Sequence, residues 1–272
     1  MSNPYIKHLR NLATRRGREK CGEFLIEGLR FVEEALSSAR VRSVIYADRI
    51  LQHERGRRLI EVAKCLGIDL VPVKDQLLAL LADTETPQGV LAVVEQFHWT
   101  WDDVLGRTSI PFLLIIDQLR DPGNLGTIIR TAEAAGVSGV VVLKGTVDLY
   151  NAKVLRATMG SIFRLPVLTE VEPAQICWLR EQGIKLVVSD LETEHLYDQA
   201  DYTQPLAIVV GNEAHGCQSE LCQIADQIVK IPLAGQVESL NVGVATGILL
   251  YEVARQRRLV GSSACQGCGG VI

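Results

Sequence analysis

Apolar positions fall along this chain in two alternating rhythms: short continuous runs that read as strands, and stripes at helical spacing that read as helices. In the first hundred residues, Glu23-Phe-Leu-Ile26 reads as a strand. Glu27 to Leu36 carries apolar residues at helical spacing, and Val41 to Tyr46 is a second strand. Arg55 to Cys65 predicts a helix closed by Gly67, followed by strands over Ile68 to Val73 and Gly89 to Val94. Such alternation specifies a small α/β sandwich, and this one carries no catalytic constellation of its own.

The second half repeats the rhythm with longer apolar runs. Pro111 to Ile116 is apolar throughout, as expected for a strand of a parallel sheet buried on both faces. A polar turn, Asp117 to Gly123, leads into a helix predicted to start at Asn124 as N-cap and to stop at Gly136, with Leu125, Ile128, Ile129 and Ala132 on one face. Gly139 to Leu143 supplies the next strand and completes a βαβ unit. Further on, helices are expected over Tyr150 to Met159, Pro173 to Gln182, Ser219 to Ala225 and Val242 to Arg257. Strands are expected over Arg164 to Leu168, Ile184 to Val188, Leu206 to Val210 and Ile228 to Ile231.

At 272 residues the chain is long enough for two domains with separate cores. The pattern divides into residues 1–95, a linker over 96–109 marked by Gln96-Phe-His-Trp99-Thr-Trp101, a domain over 110–258 and a flexible tail over 259–272. The fold class expected is α/β, with a parallel sheet in the larger domain.

No run reaches the roughly eighteen apolar residues of a membrane span, and the start lacks the apolar core of a signal peptide, so a cytoplasmic location is expected. Seven cysteines, among them Cys21, Cys65, Cys177, Cys217 and Cys222 in apolar surroundings, fit reduced thiols. Cys265-Gln-Gly-Cys268 has metal-like spacing, yet it stands in a Gly/Ser-rich tail with no second pair and no nearby histidine, so no metal is assigned.

The net charge of −4 does not advertise nucleic-acid binding, but its distribution does. Residues 1–20 hold Lys7, Arg10, Arg15, Arg16, Arg18 and Lys20 against Glu19, a local balance of +5, and Arg55, Arg57 and Arg58 follow in the same domain. Such runs form either a solvated helix face or a phosphate-contacting surface, and charge alone does not separate the two.

Three loops carry candidate chemistry. Arg130 sits about 140° from the apolar stripe of its helix, near the strand's carboxyl end where open α/β sheets place ligands, although pairing with Glu133 at i+3 would explain it equally. Gly211-Asn-Glu213-Ala-His-Gly216 brackets a turn with two glycines that allow close backbone approach to a ligand, and Glu213 could hold the loop by accepting backbone hydrogen bonds. His215 has no predicted partner and is left out. In Ile231-Pro-Leu-Ala-Gly235-Gln-Val-Glu-Ser239-Leu-Asn241, two polar side chains stand at a helix entrance where one would suffice as a cap. No early Gly-X-Gly-X-X-Gly and no P-loop sequence is present, which disfavours ordinary dinucleotide and P-loop sites.

Taken together, Asn124-Leu-Gly126-Thr-Ile-Ile-Arg130, Gly211-Asn-Glu213-Ala-His-Gly216 and Ile231-Pro232…Ser239-Leu240-Asn241-Val resemble the three ordered motifs of the SpoU/TrmH family of S-adenosylmethionine-dependent RNA ribose 2′-O-methyltransferases, within the SPOUT superfamily. Asn3-Pro-Tyr-Ile-Lys7 and Phe24-Leu-Ile-Glu27-Gly28 resemble the family's N-terminal substrate-binding domain. The resemblance implies a trefoil-knotted methyltransferase domain, a homodimer that completes each site, and RNA as partner, ribosomal RNA before transfer RNA. It implies cofactor contacts at Gly211, Ile231 and Leu240, joined by Glu213, Gly216 and Gly235 of the same loops. Arg130, Ser239, Asn241 and Asn124 are the implied catalytic set. One departure stands out: the family commonly has serine where this chain has Gly243.

Arginine is too weak an acid to serve readily as a base at neutral pH, so Arg130 is expected to stabilise negative charge on the attacking 2′ oxygen while an adjacent phosphate relays the proton. Ser239 and Asn241 would position ribose or arginine, and Asn124 would orient the first loop. Two other readings fit the same fold: a non-catalytic RNA-binding protein, and an α/β enzyme acting on a small molecule without RNA affinity.

Overall fold

The computed structural model describes residues 4–106, 108–212 and 215–266. Its first elements are α1 (Pro4–Asn11), α2 (Arg15–Cys21), β1 (Glu23–Glu27), α3 (Leu29–Ser38), β2 (Val41–Ala47), α4 (Glu54–Cys65), β3 (Asp69–Val73), α5 (Asp75–Leu81) and β4 (Val90–Glu95). There follow α6 (Trp101–Leu105), β5 (Phe112–Ile116), α7 (Pro122–Ala135), β6 (Gly139–Leu143), α8 (Ala152–Thr158), β7 (Val167–Val171), α9 (Cys177–Glu181), β8 (Lys185–Ser189), β9 (Leu206–Val210), α10 (Ser219–Ile224), β10 (Gln227–Val229) and α11 (Val242–Gln266).

Contacts divide these elements into two units. One comprises the described residues up to His98 together with Asp148–Arg164, and the other comprises Trp99–Val147 with the residues from Leu165 onward. The α8 segment, expected in the larger domain, thus packs with the first. The reason is apolar burial: Val154, Leu155, Ile162 and Phe163 are all buried, and the Phe163 ring lies 5.0 Å from that of Phe31.

The first unit is built on a mixed four-stranded sheet, ordered β1-β4-β2-β3, in which only β2 and β3 run parallel. Helices α1, α2 and α5 were not foreseen. They are short, and α2 is strongly charged, so no long apolar stripe announced them. α2 also corrects one expected RNA contact. Lys7, Arg10, Arg15, Arg16 and Lys20 are exposed, with Arg15 paired to Glu19 at 2.7 Å, but Arg18 is buried, donating to the Leu12 carbonyl at 2.9 Å and ion-paired with Asp148. Its guanidinium holds this unit together and is not offered to phosphate. Removing the buried member of a pair leaves the other charge, here partly buried, uncompensated, so Arg18→Met should cost roughly 2 kcal/mol of stability, read as a lower urea midpoint.

The second unit is built on six parallel strands in the order β10-β8-β9-β5-β6-β7, the doubly covered parallel sheet that the apolar runs imply. Some boundaries moved. α7 starts three residues earlier than expected, because Asp121 and not Asn124 is its N-cap, accepting the Asn124 N–H at 2.8 Å, while Pro122 takes the first helical position that proline favours. β7 begins at Val167, after a 3₁₀ turn over Ser161–Phe163. The expected helix over Pro173 to Gln182 is a 3₁₀ turn followed by the five residues of α9. The expected linker holds α6, fixed by a capping box between Thr100 and Asp103. α11 runs to Gln266, well beyond the expected end at Arg257, so the start of the expected tail is helical; Cys268 lies outside the described residues.

Candidate cofactor and catalytic site

The strand order places a switch point between β5 and β9. From β5 the sheet continues to β6 and β7 on one side, and to β9, β8 and β10 on the other. Ile116 pairs in register with Val210, so the turn after β5 and the loop after β9, nearly a hundred residues apart in sequence, emerge side by side at the carboxyl edge. Open parallel sheets bind ligands in such a crevice, because the chains leaving adjacent strands diverge there.

A cavity of about 600 Å³ occupies this edge. Ser189 and Asp190 at the end of β8 form one wall, and Gly211, Asn212 and Gly216 form a second. Ile231, Ser239 and Leu240 close a third, with Val242 and Ala245 of α11 behind them. Of the expected cofactor residues, Gly211, Gly216, Ile231 and Leu240 therefore share one cavity. Gly235 does not line it; a Cβ built there meets nothing within 4 Å, so the loop gives no reason for glycine at that position. Glu213 lies outside the described residues.

Gly211 has a reason of its own. A Cβ on it would stand 2.2 Å from the carbonyl carbon and oxygen of Gly216 and 2.4 Å from the Cys217 nitrogen. Asn212 and Gly216 exchange backbone hydrogen bonds at 2.9 Å in both directions, which holds the Gly216–Cys217 peptide so close to Gly211 that only glycine fits there. The sequence had assigned this glycine to close ligand approach; the nearer cause is the loop's own backbone.

Two further residues anchor the loop, and both were missed. Asp117, fully buried at the end of β5, accepts the Gln218 N–H at 2.7 Å and the Gln218 Nε2 at 2.6 Å. Asn212 donates its Nδ2 to the Gln118 carbonyl at 2.9 Å. An aspartate closing an otherwise apolar strand was the available signal, since a buried carboxylate must be hydrogen-bonded. Burial pushes the Cys217 thiol well above its usual range, with Asp117 adding to the shift, and burial raises the partly exposed Cys222 as well. Both thiols thus stay protonated at neutral pH and act as lining, not nucleophiles.

Of the remaining expected residues, two meet each other directly. Asn241 caps α11: its Oδ1 accepts the N–H of Gly243 at 2.9 Å and of Val244 at 3.3 Å, while its Nδ2 donates to Asn124 Oδ1 at 3.1 Å. That bond ties the starts of α7 and α11 together across 117 positions of sequence. Gly243 suits this arrangement. A Cβ there would lie 3.1 Å from Asn241 Oδ1, so a serine, which the resemblance implies at this position, would press on the capping oxygen, and the cap is made without it. Arg130 is exposed on α7, without a hydrogen-bond or ion-pair partner among the described residues, and does not line the cavity. Ser239 is exposed at the rim.

A crevice at a switch point of a parallel sheet, walled by backbone and small side chains and carrying the Asp190 carboxylate, has the place and the lining of a small-molecule site in an open α/β fold. The sequence pattern of the SpoU rRNA Methylase family matches residues 111–251, and that of an MRM3-like substrate binding domain matches residues 3–92. The chain belongs to the SpoU rRNA methylase family. It is similar to the 23S rRNA (guanosine(2553)-2′-O)-methyltransferase RlmP of Bacillus subtilis, 36% identical over 251 residues that cover 92% of this chain and 96% of the relative. It also resembles the 23S rRNA (uridine(2479)-2′-O)-methyltransferase of Streptomyces viridochromogenes, 33% identical over 256 residues, covering 90% and 87% respectively. Among solved structures, an AdoMet-bound rRNA methyltransferase from Sinorhizobium meliloti superposes with a TM-score of 0.83 at 32% identity, covering 93% of this chain and 95% of that one.

Proposed function

We propose that this protein is an S-adenosylmethionine-dependent enzyme that methylates a ribose 2′-OH of ribosomal RNA. The observation that carries the reading is the cavity itself, in which Gly211, Gly216, Ile231 and Leu240 of two separate motif loops converge. The residues fit the cofactor. The volume lies in the range of small-molecule sites, and the lining mixes backbone, apolar side chains and the acidic Asp190, which suits an adenosine bearing a sulfonium and an ammonium. When bound, the cofactor supplies an electrophilic methyl group.

The chain's own groups supply the rest. The tight Gly211–Gly216 loop and the Ile231–Leu240 segment would hold and orient the cofactor, and the hydrophobic wall at Val242 and Ala245 would exclude water. The Arg130 guanidinium would stabilise the developing oxyanion on the 2′ oxygen. A neighbouring RNA phosphate would accept the proton. Asn241 and Asn124 would fix the entrance of α11 relative to the helix that bears Arg130, and Ser239 would position the ribose.

A homodimer is part of this reading. Arg130 points to solvent instead of the cavity, and α11 exposes Val244 and Tyr251 two turns apart on its surface. A second copy covering that face would bring its own arginine to the site. The knotted threading of this family and a cytoplasmic location belong to the same reading; among the described residues no helix is long and apolar enough to cross a membrane. Lys7, Arg10, Arg16 and Lys20 would meet RNA phosphates.

The test is mass spectrometric mapping of 2′-O-methyl groups in RNA from cells with and without the gene. One ribosomal site should vanish; unchanged ribosomal methylation would refute the proposal, and loss of a transfer RNA site would redirect it. A non-catalytic RNA-binding role would instead require that calorimetry show no S-adenosylmethionine binding.

A further inference from the structure

The first unit contains a cavity that the mechanism above does not use. It measures about 320 Å³ and opens between the start of α3, the segment around Thr84 to Gln88, and α8. Its acids are already engaged. Glu27 accepts the Asp83 N–H at 2.9 Å, the Thr84 N–H at 3.2 Å and the Thr84 hydroxyl, while Glu34 takes the Arg164 guanidinium at 2.5 Å. Arg156 is likewise committed, to Asp83 at 2.5 Å. A cationic guest would therefore find no free carboxylate.

What the cavity leaves open has a different character. Gln88 Oε1 accepts the Leu29 N–H at 2.9 Å, which fixes the amide's orientation and leaves its Nε2 as a donor with no partner among the described residues. The Thr86 hydroxyl and the exposed Arg30 guanidinium have no partner among the described residues either. Phe31 and Met159, the latter 45% exposed, supply a ring and a thioether. An apolar guest would strand the amide and hydroxyl donors, and a bare anion would make no use of the ring.

A flat guest with hydrogen-bond acceptors on its edge and one negative charge beside it satisfies all of these groups. We propose that this cavity receives a single unpaired nucleobase of the RNA, with its edge toward Gln88 Nε2 and Thr86, its face toward Phe31 and Met159, and its phosphate toward Arg30. Single-stranded bases are recognised through such stacking and edge contacts. The assignment rests on the reading that the chain acts on ribosomal RNA. It gives this unit a role in selecting the target beyond holding phosphates.

The experiment measures filter binding of the full chain to an unmodified 23S rRNA transcript, together with methyl transfer from tritiated S-adenosylmethionine, for wild type, Arg30→Ala and Gln88→Glu. Gln88→Glu keeps the oxygen that accepts the Leu29 N–H and removes the donor. Each variant should weaken transcript binding roughly tenfold or more, while calorimetric affinity for S-adenosylhomocysteine, measured in parallel, stays at the wild-type value. If wild type binds and methylates the transcript and both variants bind it as tightly, the cavity takes no base and the proposal falls. If wild type neither binds nor methylates it, the ribosomal reading fails first, and this one with it.

Discussion

Arg130→Ala should abolish most methyl transfer while leaving fold and cofactor affinity intact. The side chain is exposed, has no partner among the described residues and contributes nothing to the cavity wall, so its removal costs neither packing nor a capping bond. What disappears is a fixed positive charge where negative charge develops, worth about a hundred- to a thousandfold in kcat. Tritium incorporation into RNA measures the loss, and calorimetry with S-adenosylhomocysteine provides the control. Wild-type turnover in the variant would remove Arg130 from the mechanism. Arg130→Lys should recover little, because a lysine offers one compact charge in place of a planar fork.

Gly211→Ala should do the reverse, removing cofactor binding at its source. The added methyl would sit 2.2 Å from the Gly216 carbonyl, and this neighbour is backbone that cannot rotate away. Relief requires the backbone pair of Asn212 and Gly216 to separate from Gly211, which displaces the cavity wall by about an ångström. Misplacement on that scale costs on the order of a hundredfold, so the Kd for S-adenosylhomocysteine should rise by about that factor or more. Gly235→Ala is the matched control, since its methyl would enter open space, and it should bind as wild type does. Equal affinities for the two variants would mean that the loop is not the cofactor wall.

Much of this was legible in the sequence because it rests on local regularities. The continuous apolar runs at Phe112 to Ile116, Gly139 to Leu143 and Leu206 to Val210 became central strands of the parallel sheet, since burial on both faces leaves no room for polar residues. The stripe Leu125, Ile128, Ile129 and Ala132 is fully buried, which turned Arg130 outward as the helical wheel required. Less legible were features set by partners distant in sequence. Nothing near Arg18 announced Asp148 as its partner, so a buried structural arginine read as one more member of a basic surface. Asp117 and Gln218 are a hundred and one positions apart, and neither has a local reason to be polar. The cap of α7 went to Asp121 because proline at the following position favours that start, a rule the sequence offered and that the apolar stripe outweighed.

The affiliation of Asp148–Arg164 with the first unit has a practical corollary for anyone dissecting this molecule. Trimming at the connecting peptide near Trp99 looks like a clean way to free the cofactor-binding half. Such a fragment would carry along a stretch whose oily residues, Val154, Leu155, Ile162 and Phe163, have lost the neighbours that shield them from water, and it would be sticky for that reason alone. Isolating the cofactor-binding half calls for excising this insert and splicing its ends, and isolating the other half calls for grafting the insert onto it, not for a single cut.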